Sequence, residues 1–150
     1  MKLKNTFQNF NHVLGARAMV KIFISHSSND NDYALKLAEE FRKSNFDVLL
    51  DKTEIEPGTD WQSEITQAVK SADTFVTLLS ANSVARRDSL IELGMAWGLN
   101  KNIVPVVVPG QRLAEIELPL ALQEVHVLDA RQQTTADIAA FVGQVSKGIE

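Results

Sequence analysis

Apolar positions along the chain follow two rhythms. Five short runs, Val20-Lys21-Ile22-Phe23-Ile24, Phe46-Asp47-Val48-Leu49-Leu50, Thr74 to Leu79, Ile103 to Val108 and a weaker Glu124 to Leu128, are rich in β-branched and aromatic residues and read as strands. Between them apolar residues recur at helical spacing. Ala34, Leu37, Ala38 and Phe41 make one stripe, and Trp61, Ile65, Ala68, Val69 and Ala72 make a second. Thr59 and Gln62 predict a capping box at the start of the second helix. A third helix is expected from a cap at Asn82 or Ser83 to about Gly98 to Asn100. The last follows Thr134-Thr135 and turns Ile138, Phe141, Val142 and Val145 to the core.

Strands that alternate with helices of this length predict βαβ units and a parallel sheet. The expected architecture is α/β: a flavodoxin-like, doubly wound, five-stranded parallel sheet with helices on both faces. Ligands of such sheets bind beyond the C-terminal ends of the strands. Residues 1–19 form an N-terminal extension in this reading, with weak periodicity through Phe7, Phe10 and Leu14, and residues 20–150 form one domain. Pro109, Gly110 and Pro119 break up the segment before the last strand, which is expected to be loop plus a short helix.

Composition narrows the functional classes. A chain of 150 residues that is 45% hydrophobic can bury a real core. Its net charge of −4, with both signs interspersed, gives no footprint for a phosphate backbone, so no nucleic-acid partner is expected. The absence of cysteine removes disulfides, thiolate metal sites and thiol nucleophiles. Apolar runs extend no further than Ile103 to Pro109, too short to span a membrane, and the first residues lack the apolar segment of a signal peptide. The expected location is the cytoplasm.

Familiar catalytic signatures are missing. Ile24-Ser25-His26-Ser27-Ser28 stands where a GxGxxG or a GxxxxGK[ST] would follow the first strand, and there is no GxSxG. His12, His26 and His126 are far apart in sequence, and no metal centre is expected. One residue stands out instead. Glu92 lies within RRDSLIELGMAWG (86–98), surrounded by Leu90, Ile91, Leu93, Met95, Ala96, Trp97 and Leu99. A carboxylate in such company belongs at a helix edge or in a site, because removal from water costs several kcal/mol without compensating partners. Asp88 and Ser89, four and three residues earlier, share its helical face. If the sheet forms as predicted, Ser25 to Asp30, Asp51 to Asp60 and Asp88 to Glu92 border one cleft, and backbone N–H groups from Ser27 to Asp30 can face a pyrophosphate.

KIFISHSSND (21–30), FDVLLDKTEIEPGTDW (46–61) and SANSVARRDSLIELGMA (80–96) together resemble a Toll/interleukin-receptor (TIR) domain, more closely the bacterial kind. Many domains of that family hydrolyse NAD with a glutamate on the third helix, and Glu92 occupies the matching position. The resemblance implies release of nicotinamide and of linear or cyclic ADP-ribose, with NAD as substrate and no further cofactor. It also implies substrate contacts from His26, Ser27, Ser28, Asp51, Glu56, Trp61, Asp88 and Ser89. The loop after the second strand, with Ile55, Pro57 and Gly58, would join copies into a homo-oligomer, and an upstream sensor protein would trigger an immune, defence or toxin-like effector. Family members active on NAD often carry an aromatic residue where this chain has Asp88.

Two alternatives share these motifs. A catalytically silent adaptor would act through domain contacts of the same loop. An enzyme resembling the nucleoside deoxyribosyltransferases would use a helix glutamate on a related sheet.

Overall fold

The computed structural model describes residues 19–50, 60–81, 83, 87–123 and 125–147. Strands and helices alternate along these residues in the order β1 (Lys21–Ser25), α1 (Asn31–Lys43), β2 (Asp47–Leu50), α2 (Trp61–Ser71), β3 (Thr74–Leu79), α3 (Arg87–Gly98), β4 (Asn102–Val107), β5 (Leu128–Asp129) and α4 (Thr135–Lys147). Every strand pairing is parallel, and the strands lie in the order β2-β1-β3-β4-β5. This is the flavodoxin-like order. The winding direction reverses between β1 and β3, so a crevice opens between their C-terminal ends.

Side-chain alternation along each strand divides the core into two layers. Ile22 and Ile24 of β1, Val76 and Leu78 of β3 and Val104 and Val106 of β4 pack with Ala34, Leu37, Ala38 and Phe41 of α1 and with Ile138, Ala139 and Val142 of α4. The intervening residues Phe23, Phe75, Leu79 and Val107 face the other way. They pack with Ile65, Ala68 and Val69 of α2 and with Leu93 and Ala96 of α3. Phe23 and Phe75 stack in that second layer with ring centroids 5.5 Å apart. Both helical stripes expected for α1 and α4 therefore reach the sheet, with Phe141 and Val145 at the margin. Among the described residues no helix is long and apolar enough to cross a membrane.

The ends of the helices follow local chemistry, and here three expectations are corrected. Asp60, not Thr59, caps α2, its carboxylate accepting from Ser63 N at 3.3 Å. Ser83 does not cap α3, which starts at Arg87, but completes a reciprocal capping box with Ser80; the other expected cap, Asn82, lies outside the described residues. Ser80 N donates to Ser83 Oγ at 2.9 Å and Ser83 N donates to Ser80 Oγ at 3.1 Å. The fifth strand is Leu128–Asp129, later and shorter than Glu124 to Leu128, because only Val106 and Val107 of β4 pair with it. Thr134 and Asp137 form the capping box that starts α4. Asn45 and Asn100, both in the left-handed region at φ 65° and 55°, close α1 and α3, each followed by a backbone bond back into the helix. The segment between β4 and β5 holds two short 3-10 turns, Leu113–Glu115 and Leu120–Leu122.

The N-terminal residues 1–18 and the loop 51–59, which carries the expected site residues Asp51, Ile55, Glu56, Pro57 and Gly58, lie outside the described residues.

Candidate functional site

β1 lies between β2 and β3 and ends in Ser25, whose register partner on β3 is Thr77. Alternation puts Ser25 on the same face as Phe23, and Thr77 on the same face as Phe75, which is the face that α2 and α3 cover. Two hydroxyls therefore sit side by side beneath α3 at the edge of the crevice. Ser25 is 1% exposed and Thr77 is 5% exposed.

Directly over them α3 presents Glu92. This carboxylate is fully buried, and Ser25 Oγ donates a hydrogen bond of 2.6 Å to Glu92 Oε1. An edge position for Glu92 is thereby excluded, and the bond joins the end of β1 to the third helix as the converging motifs predict. Ser89, one turn earlier on the inner face of α3, is also buried, and its Oγ has no hydrogen-bond partner. Ala96, one turn later, is buried and small. Asp88 lies on α3 and Trp61 opens α2.

The loop after β1 forms a second polar group at the crevice. A 3-10 turn, Ser28–Asp30, precedes α1, so the α-helix starts at Asn31 and not within Ser27 to Asp30. Asp30 Oδ2 accepts from Ser27 Oγ and from Ser80 Oγ, each at 2.8 Å. These bonds tie the β1 loop to the end of β3 across the reversal point. His26 is buried on the α1 side, with Nε2 3.1 Å from Asn31 Oδ1, an oxygen that accepts and so requires the proton on Nε2.

The structure thus brings together Ser25, Thr77, Ser89 and Glu92 on one face, and Ser27, Asp30 and Ser80 at the loop beside it. Thr77 and Ser80 are not among the site residues expected from sequence, and Ser25 and Asp30 are expected only as parts of a converging loop. Two-residue alternation in KIFIS and TFVTLL was the available signal for the strand hydroxyls. Leu90, Ile91, Trp97 and Leu99, read from sequence as the surroundings of Glu92, are turned to solvent, with Trp97 55% exposed. Trp97 borders a cleft of about 710 Å³ at the N-terminal end of β4, with Lys101, Asn102 and Leu120. That cleft lies at the end of the sheet opposite Ser25.

A fully buried carboxylate backed by a hydroxyl, next to a crevice at the C-terminal ends of parallel strands, is suited to stabilising positive charge that develops on a bound molecule. A family model described as TIR domain matches residues 22–145. The chain belongs to the TIR domain family. Solved structures share the fold. The TIR domain of the Toll-related receptor TRR-2 from Hydra magnipapillata superposes with a TM-score of 0.68 at 15% identity, covering 83% of this chain and 96% of that one. The TIR domains of the activated Roq1 resistosome, which directly recognises the pathogen effector XopQ, give 0.59 at 16% identity over 87% of this chain and 99% of theirs. A CMP N-glycosidase of Clostridium botulinum, BcmB, gives 0.56 at 12% identity over 82% and 98%. No curated protein matches the sequence of this TIR domain significantly.

Proposed function

We propose that this TIR domain is an NAD glycohydrolase that cleaves the bond between nicotinamide and ribose, with Glu92 as the catalytic carboxylate. The observation that carries the reading is the full burial of Glu92 under the end of β1, in a bond to Ser25. Burying an ionised group costs several kcal/mol, and a helix that needed only to pack would hold a leucine there. The carboxylate therefore has a use other than packing.

The chemistry suits a single carboxylate. Nicotinamide is attached to C1′ as a cationic pyridinium, so breaking the C1′–N bond sends its electron pair to the ring nitrogen and releases a neutral molecule without a proton donor. Positive charge then spreads over C1′ and the ring oxygen of the ribose, where Glu92 stabilises it. Water adds its oxygen to C1′ and loses a proton, leaving ADP-ribose, nicotinamide and H⁺. Closure of the ring by the adenine instead of water would give the cyclic product. Ser89, with a buried hydroxyl lacking a partner, and Asp88 on the same helix are suited to contact the ribose.

Because Glu92 is closed to solvent in the single chain, substrate reaches it only after the covering residues shift. Self-association through the loop after β2, with Ile55, Pro57 and Gly58, supplies the free energy for such an opening by mass action. Activity is accordingly expected to rise more than linearly with protein concentration, so that specific activity climbs, and Gly58→Arg is expected to abolish the climb. A flat profile in both proteins would contradict activation by assembly.

Incubation of the pure protein with NAD, followed by chromatography of nicotinamide and ADP-ribose, tests the reaction itself. CMP is the informative second substrate, since a CMP N-glycosidase shares the fold, and its neutral cytosine, unlike nicotinamide, needs a proton in order to leave. Release of cytosine from CMP without nicotinamide from NAD would move the reading to that second enzyme class. Cleavage of neither, at high concentration, would leave the adaptor.

A further inference from the structure

We propose that Ser25 is the positioning residue of the site: its hydroxyl fixes which way the Glu92 carboxylate faces, so that the charge is already aimed when the ribose cation forms. The proposal rests on the catalytic reading of Glu92 given above.

Position 25 is unusual for a serine. It closes a strand whose other inward residues, Ile22, Phe23 and Ile24, are completely buried and apolar. A hydroxyl buried there without a partner would destabilise the fold. The structure gives it one partner of consequence, Glu92 Oε1 at 2.6 Å, from a helix 67 residues further along the chain. Donor and acceptor differ in how firmly they are held. Ser25 has a single side-chain torsion and lies on an interior strand, locked to β3 through its register with Thr77 and preceded by residues paired to β2. Glu92 has three torsions and rides on a helix. Loss of the bond from Ser25 would free one carboxylate oxygen to reorient, and part of the reaction barrier would be spent on aiming it. The hydroxyl holds that oxygen, and with it the plane of the carboxylate, from a strand paired on both sides.

Such a role has a signature different from packing or substrate binding. Loss of the Ser25 hydroxyl leaves the ground-state complex intact and weakens an interaction that matters in the transition state, so kcat falls and KM stays. The expected fall in Ser25→Ala is about 10- to 100-fold, the range for one hydrogen bond to a charged group. Ser25→Thr keeps the hydroxyl on a side chain that strands favour and is expected to recover most of the rate. In a Glu92→Gln background the further change Ser25→Ala should have no additional effect, because the group it positions is already gone.

The experiment combines kinetics of these variants with ¹³C spectra of the glutamate side-chain carboxyls in the free protein, where the Glu92 signal is identified by its loss in Glu92→Gln. The proposal predicts that this signal moves in Ser25→Ala, returns toward its original place in Ser25→Thr, and that kcat follows the same order at constant KM. A signal that stays put in Ser25→Ala overturns it, as does a rise in KM with kcat unchanged or a further loss in the double variant. If the wild type cleaves no nucleotide, the reaction proposed above fails, and the carboxyl signal alone decides whether Ser25 orients Glu92.

Discussion

Helices α1 and α3 are 13 and 12 residues long and cover opposite faces of one sheet, yet they sort their residues by opposite rules. In α1 the buried side is Ala34, Leu37, Ala38 and Phe41, and charged residues such as Lys36, Glu39 and Arg42 face water. In α3 the buried side holds Ser89 and Glu92 along with Leu93 and Ala96, while Leu90, Ile91 and Trp97 face outward around the exposed Gly94 and Gly98. The first arrangement is what hydrophobic burial alone produces. The second sacrifices packing on the inner face to hold a carboxylate at the sheet. A helix that inverts the pattern is therefore a better guide to the candidate site than the cleft beside Trp97 and Lys101, which lies at the opposite end of the sheet.

The contrast predicts different responses to substitution. Phe41 is completely buried in the α1 layer, so Phe41→Ala is expected to remove about 3–5 kcal/mol of stability, the range for deleting a core aromatic. Urea unfolding measures this, and a loss below about 1 kcal/mol would break the claim that α1 is held by apolar burial.

Gly94 sharpens the other half of the comparison. A Cβ added there meets nothing within 4 Å. Gly94→Ala is thus expected to stabilise the isolated domain by up to about 1 kcal/mol, since glycine within a helix costs that much in backbone entropy. A destabilised variant, seen as a lower melting temperature, would mean that the outer face of α3 is packed and not free.

The smallest expected effect concerns Tyr33 on α1, the single tyrosine of the chain. Its buried hydroxyl has no hydrogen-bond partner, and burial pushes its pKa up from 10.0 to about 12. The folded state then keeps a proton that the unfolded chain has lost. Stability from this group is complete below pH 10 and disappears as pH rises toward 12. Tyrosinate absorbance of the folded protein should show the displaced midpoint, and Tyr33→Phe should remove its share of the alkaline loss. A midpoint near 10 in the folded protein would contradict the burial.

Much of this was legible in the chain. β3 was bounded correctly from β-branched alternation, and all four residues of the α1 stripe are buried, because periodic apolar positions report directly on which side meets the core. Glu92 was conspicuous as the charged residue within an apolar run, and three ordered motifs pointed to the family. Other features were hidden for physical reasons. Leu90, Ile91 and Trp97 give α3 an apolar residue on nearly every side, so periodicity could not tell its inner face from its outer one. The fifth strand was misplaced because Val125 and Val127 alternate like a strand, while its length is set by how much of β4 remains to pair. The bond between Ser25 and Glu92 spans 67 positions and becomes visible only once β1 and α3 are assembled.

The central claim is that Glu92 is buried in order to act on a bound nucleotide, and one variant tests it most directly. Glu92→Gln keeps the shape and the hydrogen-bonding ability of the side chain and removes its charge. Nicotinamide release from NAD should be measured for this variant and the wild type side by side at high protein concentration, with melting curves of both. The account predicts clear turnover by the wild type, a loss of at least about 100-fold in Glu92→Gln, and melting temperatures that differ little. Equal turnover in the two proteins, or a variant that fails to fold, would show that Glu92 serves the structure of the domain and not its chemistry.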